Sequence, residues 1–419
     1  MLLPASKDYL LLRFKKKTGP KSGVKFCSLF MKHILSLFGL FLLLSSCSNE
    51  QDALEKNVVE NYAEIVYANY DDAVQGAKIV QAAVGLFLES PSAESFETVK
   101  QAWLASRPAY LQSEAFRFYD GPIDGEDGLE GYINAWPLDE NFIDYVWDEN
   151  GKKQMYTGVI NNPNEFPQIN AEILLKENEV HGEADVKVGY HAIEFLLWGQ
   201  DLSDTSAGQR RYTDYLTGKE ATAPNGARRQ QYLKVVSDLL VEHLTSVRDA
   251  WKPGSKYRTA FVADGNVKES LTNILSGLGK LSKGELAGER MTVALENKDQ
   301  EDEHSCFSDN THNDIIFNQA GILNVYRGVY VRSDGSEIKG PGFKELVAKK
   351  DPVLAQSIEE QLVRTLTAAR AIPVPFDQAI IHQPEAIQQT IRELRKQSDE
   401  IQNIASAIGL SLVIPETND

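Results

Sequence analysis

Apolar side chains recur three and four residues apart along almost the whole chain, and no other feature restricts the fold so much. Val58, Tyr62, Val66, Ala73, Ala77, Val80, Val84 and Phe87 share one stripe and predict a long helix that stops at Ser90-Pro91. A second helix is expected from Ser92 to about Phe118, and a third across GYHAIEFLLWGQD, residues 189–201. A fourth passes through Tyr232, Val236, Leu240, Leu244, Val247 and Trp251 and is ended by Pro253-Gly254. The second half repeats the count. It offers Leu271 to Leu278, Ile315 to Val329, a helix from the Asp351 cap and Pro352 through Leu366, and a last one from Ile387 to Ile408 closed by Gly409. Alternating β-branched runs between turns are scarce, so the expected fold is all-α: two four-helix-bundle-like domains packed side by side, residues 52–250 and 251–419.

The N-terminal residues stand outside that pattern. Met31-Lys32-His33, the apolar run Ile34 to Leu44, and Leu44-Ser45-Ser46-Cys47 read as a bacterial lipoprotein signal. Residues 1–30 are then a mis-called extension, 31–46 the signal peptide and 47–51 a lipidated tether anchored to the membrane through Cys47. Eleven apolar residues are too few to span a bilayer, which takes about 20. The expected place is the cell envelope, at the periplasmic face or the cell surface. Of three cysteines only Cys306 lies in the body, so an internal disulfide is excluded.

The formal charge is −17, and residues 1–46 carry eight Lys or Arg against one Asp, so the remainder stands at −24. Such a surface makes nucleic acid a poor partner. It suits solubility, and also metal cations or basic ligands.

His191 and Glu194 sit three apart in the nearly unbroken apolar run of the third helix. Wound at 100° per residue, Val186, Tyr190, Ile193 and Leu197 form one stripe, and His191, Glu194 and Trp198 a separate face. With Phe195, Val188 and Leu196 filling the rest, the helix is apolar all round and predicted to be buried on more than one side, at the contact between domains. Side chains at i and i+3 reach one ligand together. Burying an unanswered carboxylate costs several kcal/mol, roughly, so a metal, a locally satisfied pair or a basic residue from the other domain must answer it. Periodicity alone does not choose.

Two further stretches collect ligating side chains. DQEDEHSCFSDNTHND, residues 299–314, holds His304, Cys306 and His312 among acids; RPAYLQSEAFRFYDGPID, residues 107–124, places Glu114 and Arg117 at i, i+3. The first also reads as an acidic inter-helix loop and the second as a surface or intra-helix ion pair. Glu114 and His304 are nonetheless the candidate helpers of His191 and Glu194, although no spacing fixes them.

Together these stretches resemble the imelysin-like superfamily, in its iron-regulated protein A branch. The likeness covers most of the chain after the leader and rests on GxHxxE at Gly189, His191 and Glu194, with NAWPLDE (134–140), GERM (288–291) and PFD (375–377) beside it. It implies two helical bundles with a functional cleft at their interface, sometimes with permuted helix order, and a role in iron uptake or homeostasis in the bacterial envelope. The family's older label, metallopeptidase, implies zinc chemistry. The sequence gives that label little support: HExxH is absent, residue 195 is Phe so HxxEH is absent too, and with Glu194 as a ligand the motif keeps no residue to activate water.

The leading expectation is an envelope lipoprotein that binds a metal ion, iron foremost and zinc next, or an iron-bearing chelate, at His191 and Glu194 with Glu114 and His304 as helpers. Envelope transport proteins are its expected partners. The alternatives are a zinc-dependent metallopeptidase using the same pair, and a scaffold in which that pair only locks the bundles together.

Overall fold

Ser92, Asp351 and Gly409 begin or end helices as their chemistry requires. Ser92 and Ser95 form a reciprocal capping box, each backbone N–H donating to the other's hydroxyl at 3.0–3.1 Å. The Asp351 carboxylate accepts from the N–H groups of Val353 and Leu354 at 3.0 and 2.9 Å. These ends belong to a computed structural model that describes residues 27–148, 150–155, 157–203 and 205–415, with side chains from Glu50 onward. The expected leader and the expected anchor Cys47 lie outside the residues whose side chains are described. The chain divides into two units, Met1–Asp52 and Ala53–Asp419.

The fold is all-α. Its long helices are α1 (Cys27–Glu89), α2 (Ala93–Ser113), α3 (Gly189–Trp198), α4 (Gly226–Ala250), α5 (Val267–Lys280), α6 (Thr311–Arg327), α7 (Pro352–Arg370) and α8 (Pro384–Ala407). Each covers a stretch where an apolar period places a helix, although α1 begins well before the stripe that starts at Val58. In the first half α3 packs on α2 and α4; in the second, α8 packs on α5 and α7, and α7 on α6. Helix α2 also packs along α6, so the two halves of the sequence share one buried core that runs from Val58 to Ile414. Among the described residues no helix is long and apolar enough to cross a membrane.

Three features carry no helical period and were not anticipated. Beyond Lys280 the chain continues as a π-helix, Leu281–Thr292, whose wider turn brings Glu285 and Arg290 together at 2.8 Å. The strands β1 (Val146–Trp147) and β2 (Lys153–Gln154) form one small antiparallel hairpin, β3 (Val329–Val331) and β4 (Glu337–Lys339) another. The second helix ends at Ser113, and a 3-10 turn, Glu114–Phe116, completes it.

Candidate functional site

Helix α3 is buried on every side, from Gly189 through Trp198, as a helix apolar all round must be. Gly189 shows how it is seated. Its φ is +90°, and a Cβ there would lie 2.6 Å from the carbonyl oxygen of Ile133, so only glycine lets the 132–134 backbone come this close. The Trp103 indole of α2 donates to the Tyr190 carbonyl at 3.0 Å and fixes the other side.

His191 and Glu194 meet as their spacing predicts, with His191 Nδ1 2.8 Å from Glu194 Oε2. Glu194 has a second set of donors that spacing did not reveal: the N–H and hydroxyl of Ser308 both reach its Oε1, at 3.0 and 2.7 Å. Both carboxylate oxygens are therefore engaged, and the carboxylate stands behind His191 rather than beside it. His191 Nε2 is buried and has no hydrogen-bond partner. A carboxylate on one ring nitrogen fixes the tautomer and strengthens the other nitrogen as a donor to a cation.

His304 repeats the arrangement. Its ring stands edge to face with that of His191, centroids 4.6 Å apart. Its Nδ1 lies 2.7 Å from Asp314 Oδ2, and its Nε2 is 3.3 Å from the Asn134 amide nitrogen. Arg107 donates to Asn134 Oδ1 at 2.7 Å and orients that amide. The Arg107 guanidinium, wholly buried, also lies 3.5 Å from Asp314 and 4.7 Å from the Tyr190 ring. Trp136 of the NAWP stretch covers His304 from 5.7 Å and donates to the Glu303 carbonyl at 2.9 Å.

Glu114 makes the i, i+3 ion pair with Arg117, but away from the surface. It is fully buried, with Oε2 held by Arg117 at 2.9 Å and by Arg290 of the π-helix at 2.7 Å. Its Oε1 has no hydrogen-bond partner. Burial acts to raise its pKa, but Arg117 and Arg290 outweigh it and hold the carboxyl well below the usual range. That negative charge acts on both imidazoles.

Burial governs the protons of the others. It pushes His191 down to about 3, helped by the nearby Arg107, and pushes Glu194 up to about 8. His304 is driven well below its ordinary value by burial and then by Arg290. Both imidazoles are thus neutral at pH 7, the form that ligates metals. With Nδ1–H donating to Glu194, the neutral ring presents its lone pair at Nε2. Cys306 is buried, and burial keeps its thiol protonated.

The structure places His191, Glu194 and His304 side by side, with Glu114 bound to Arg117 and Arg290 and acting on the imidazoles through its charge. His191 and His304 face each other, Glu194 orients His191, and Glu114 acts from behind two arginines. Among the described residues no three His, Cys, Asp or Glu side chains are gathered as a group that could hold a metal ion. Two neutral imidazoles and a carboxylate oxygen without a hydrogen bond are the donor types present. Sequence reasoning missed Asp314, Asn134, Ser308 and Arg290. All lie in or next to stretches that looked unusual, yet none stands at helical spacing from His191.

The chain is similar to known proteins over most of its length. The family profile described as Peptidase_M75, Imelysin, matches residues 66–403. Iron-regulated protein A of Synechococcus elongatus (strain ATCC 33912 / PCC 7942 / FACHB-805) is 25% identical over 354 residues, 82% of this chain and 83% of that protein. Two crystal structures share the fold. A candidate iron-regulated protein A precursor from Parabacteroides distasonis ATCC 8503 superposes with a TM-score of 0.65 at 20% identity, covering 85% of this chain and 95% of the other. An imelysin-like protein from Psychrobacter arcticum 273-4 gives 0.61 at 14% identity, covering 87% and 98%.

Proposed function

The chain belongs to the imelysin family, and we propose that it is a bacterial envelope protein that binds a metal cation, iron foremost, at the paired imidazoles of His191 and His304. The observation that carries this reading is one atom: His191 Nε2, buried, without a hydrogen bond, and backed through Nδ1 by Glu194. A merely structural histidine in such a place is expected to satisfy both ring nitrogens; His304 does so through Asp314 and Asn134, and joins His191 on an ion only by releasing the Asn134 amide.

Iron is favoured over zinc by the relatives' names, iron-regulated protein A of Synechococcus elongatus above all, and by a donor set of imidazoles and carboxylate. A bare cation suits the space better than a bulky chelate, because His191 and His304 are each about 1% exposed. The ion is cargo in this reading. Glu194 and Asp314 orient the rings, while Glu114 supplies negative charge and an available oxygen. The lipoprotein signal read at residues 31–47 would hold the protein at the membrane, within reach of envelope transport partners. Residues 52–250 and 251–419 would be two bundles with the site where they meet.

The test is elemental analysis of protein purified without chelator and then reloaded with Fe(II) or Zn(II). About one equivalent in the wild type and a trace in His191→Ala support the reading. Equal metal in both, or none in either, overturns it.

A further inference from the structure

The C-terminal end of α3 runs into a second site, away from the imidazoles. A cavity of about 200 Å³ opens there, walled by Tyr145, Trp147, Trp198, Gly199, Asp201 and Arg210 among others. The Arg210 side chain is 1% exposed and clamped between two rings, its guanidinium carbon 4.9 Å from Tyr145 and 5.0 Å from Phe195. Its Nη1 donates to Asp144 at 2.6 Å. Its Nε and Nη2 are buried and have no hydrogen-bond partner.

Those two nitrogens share one edge of the guanidinium. Their N–H bonds run parallel and match the two oxygens of a carboxylate. Gly199 lies beside that edge and puts no side chain on it: its φ is +72°, and a Cβ there would sit 3.4 Å from Arg210 Nε. The Arg210 N–H donates to the Trp198 carbonyl at 2.7 Å and holds the arginine against the end of the helix.

Arg210 and Asp201 are the charged residues of the wall, and two lysines lie against its rings. Lys153 Nζ lies 3.6 Å from the Tyr145 ring and 5.6 Å from that of Trp147, and Lys100 Nζ lies 5.2 Å from the Trp198 ring. Asp144 is shared with Arg229, which donates to both its oxygens at 2.7 and 2.8 Å. Asp214 is bonded to the hydroxyls of Tyr145 and Thr222. Asp201 accepts from the Ser203 N–H at 3.0 Å, and burial pushes its pKa up to about 7, so its charge is weakened near neutrality. In a chain of net charge −17, a concave wall that carries Arg210, with two lysines seated on its aromatic rings, is a selective feature.

We propose that this cavity binds a small aromatic carboxylate, its two oxygens on Arg210 Nε and Nη2 and its ring against Trp147 and Trp198. The aromatic walls single out this class among anions, because an inorganic ion would use the arginine and leave the indoles idle. The volume is below the roughly 300–1,000 Å³ of pockets for drug-sized ligands, which fits one ring and one carboxylate.

Ligand-observed NMR titration of the full chain tests this with three probes: benzoate, the uncharged isostere benzamide, and inorganic phosphate. Benzoate is expected to bind with a dissociation constant on the order of millimolar or tighter, and the other two at least about tenfold more weakly. Arg210→Lys keeps a charge for Asp144 but loses the fork, and is expected to weaken benzoate about tenfold. Trp147 is 38% exposed, so Trp147→Ala leaves the fold intact and is expected to weaken benzoate several-fold. His191→Ala binds benzoate like the wild type, which separates this site from the imidazoles. No benzoate binding, benzamide or phosphate binding as tightly, or Trp147→Ala binding like the wild type would each overturn the proposal.

Discussion

The rings of His191 and His304 meet edge to face with their centroids 4.6 Å apart, and each is held at Nδ1 by a carboxylate, Glu194 or Asp314. If the carboxylates orient the rings for a cation, Glu194→Gln and Asp314→Asn should each lower metal affinity by about 10–100-fold while leaving a measurable site. Direct competition against a chelator of known affinity measures this. A Glu194→Gln protein with unchanged affinity contradicts the orienting role.

The peptidase reading makes a different demand. Glu194 is committed to His191 and Ser308, so the motif offers no free carboxylate as a base for water. Purified protein supplied with Zn(II) should leave unfolded casein intact over hours. Chelator-sensitive cleavage that disappears in His191→Ala is the result that restores the enzyme.

Gly189→Ala tests how the site is seated. The new Cβ would force a residue at φ +90° and meet the Ile133 carbonyl at 2.6 Å. Strain and displacement together should cost about 2–4 kcal/mol, read as a lower urea midpoint with the slope unchanged. A loss within about 0.5 kcal/mol, the usual range for a surface substitution, would mean that the 132–134 segment is free to retreat.

Much of this architecture was legible because helices write their period into local sequence. The stripe from Val58 to Phe87, the cap at Asp351 and the enclosed run from Gly189 to Trp198 each depend on neighbours within one or two turns. The partners of the site do not. Ser308 lies 114 residues from Glu194, Arg290 lies 176 from Glu114, and Asp314 lies 207 from Arg107. No periodicity links such residues; only the packing of α2, α3 and α6 brings them together. The i, i+3 rule correctly paired His191 with Glu194 but could not tell two ligands from one ligand and its support, since both readings share the spacing. Glu114 was misjudged for a related reason: Arg117 was visible beside it, and Arg290 was not. The π-helix was missed because its wider turn has no strong composition signal.

Stability should fall as pH rises from about 4.5 to 8. Burial pushes Glu140 and Asp201 up to about 7 and Glu301 up to about 8, whereas in the unfolded chain such groups titrate near 4. Between those values the folded state binds more protons, so each group's stabilising contribution is complete below about 4 and disappears as pH passes its folded pKa. The midpoint of thermal unfolding should be higher at pH 5 than at pH 8 and flat above it. A midpoint that climbs over this interval contradicts the assignment.

Asp144 governs the acid side with the opposite sign. Burial acts to raise its pKa, but Arg229 and Arg210 outweigh burial and hold it well below the usual carboxylate range. Its contribution is therefore present above the unfolded value of about 4 and lost as pH falls below it. At neutral pH its removal leaves two buried guanidinium groups facing each other, Arg229 at 0% and Arg210 at 1% side-chain exposure. Breaking a buried pair by deleting one partner costs about 3–5 kcal/mol, more than an exposed ion pair ever contributes. Asp144→Ala should lose that amount in urea at pH 7, and Asp144→Asn, which keeps one acceptor oxygen, somewhat less. Because the penalty arises from unpaired arginines, Arg210→Met added to Asp144→Ala should restore part of the lost stability. A double variant that loses the full sum of the two single effects would show that Asp144 acts through packing, and that the charges around it are not coupled.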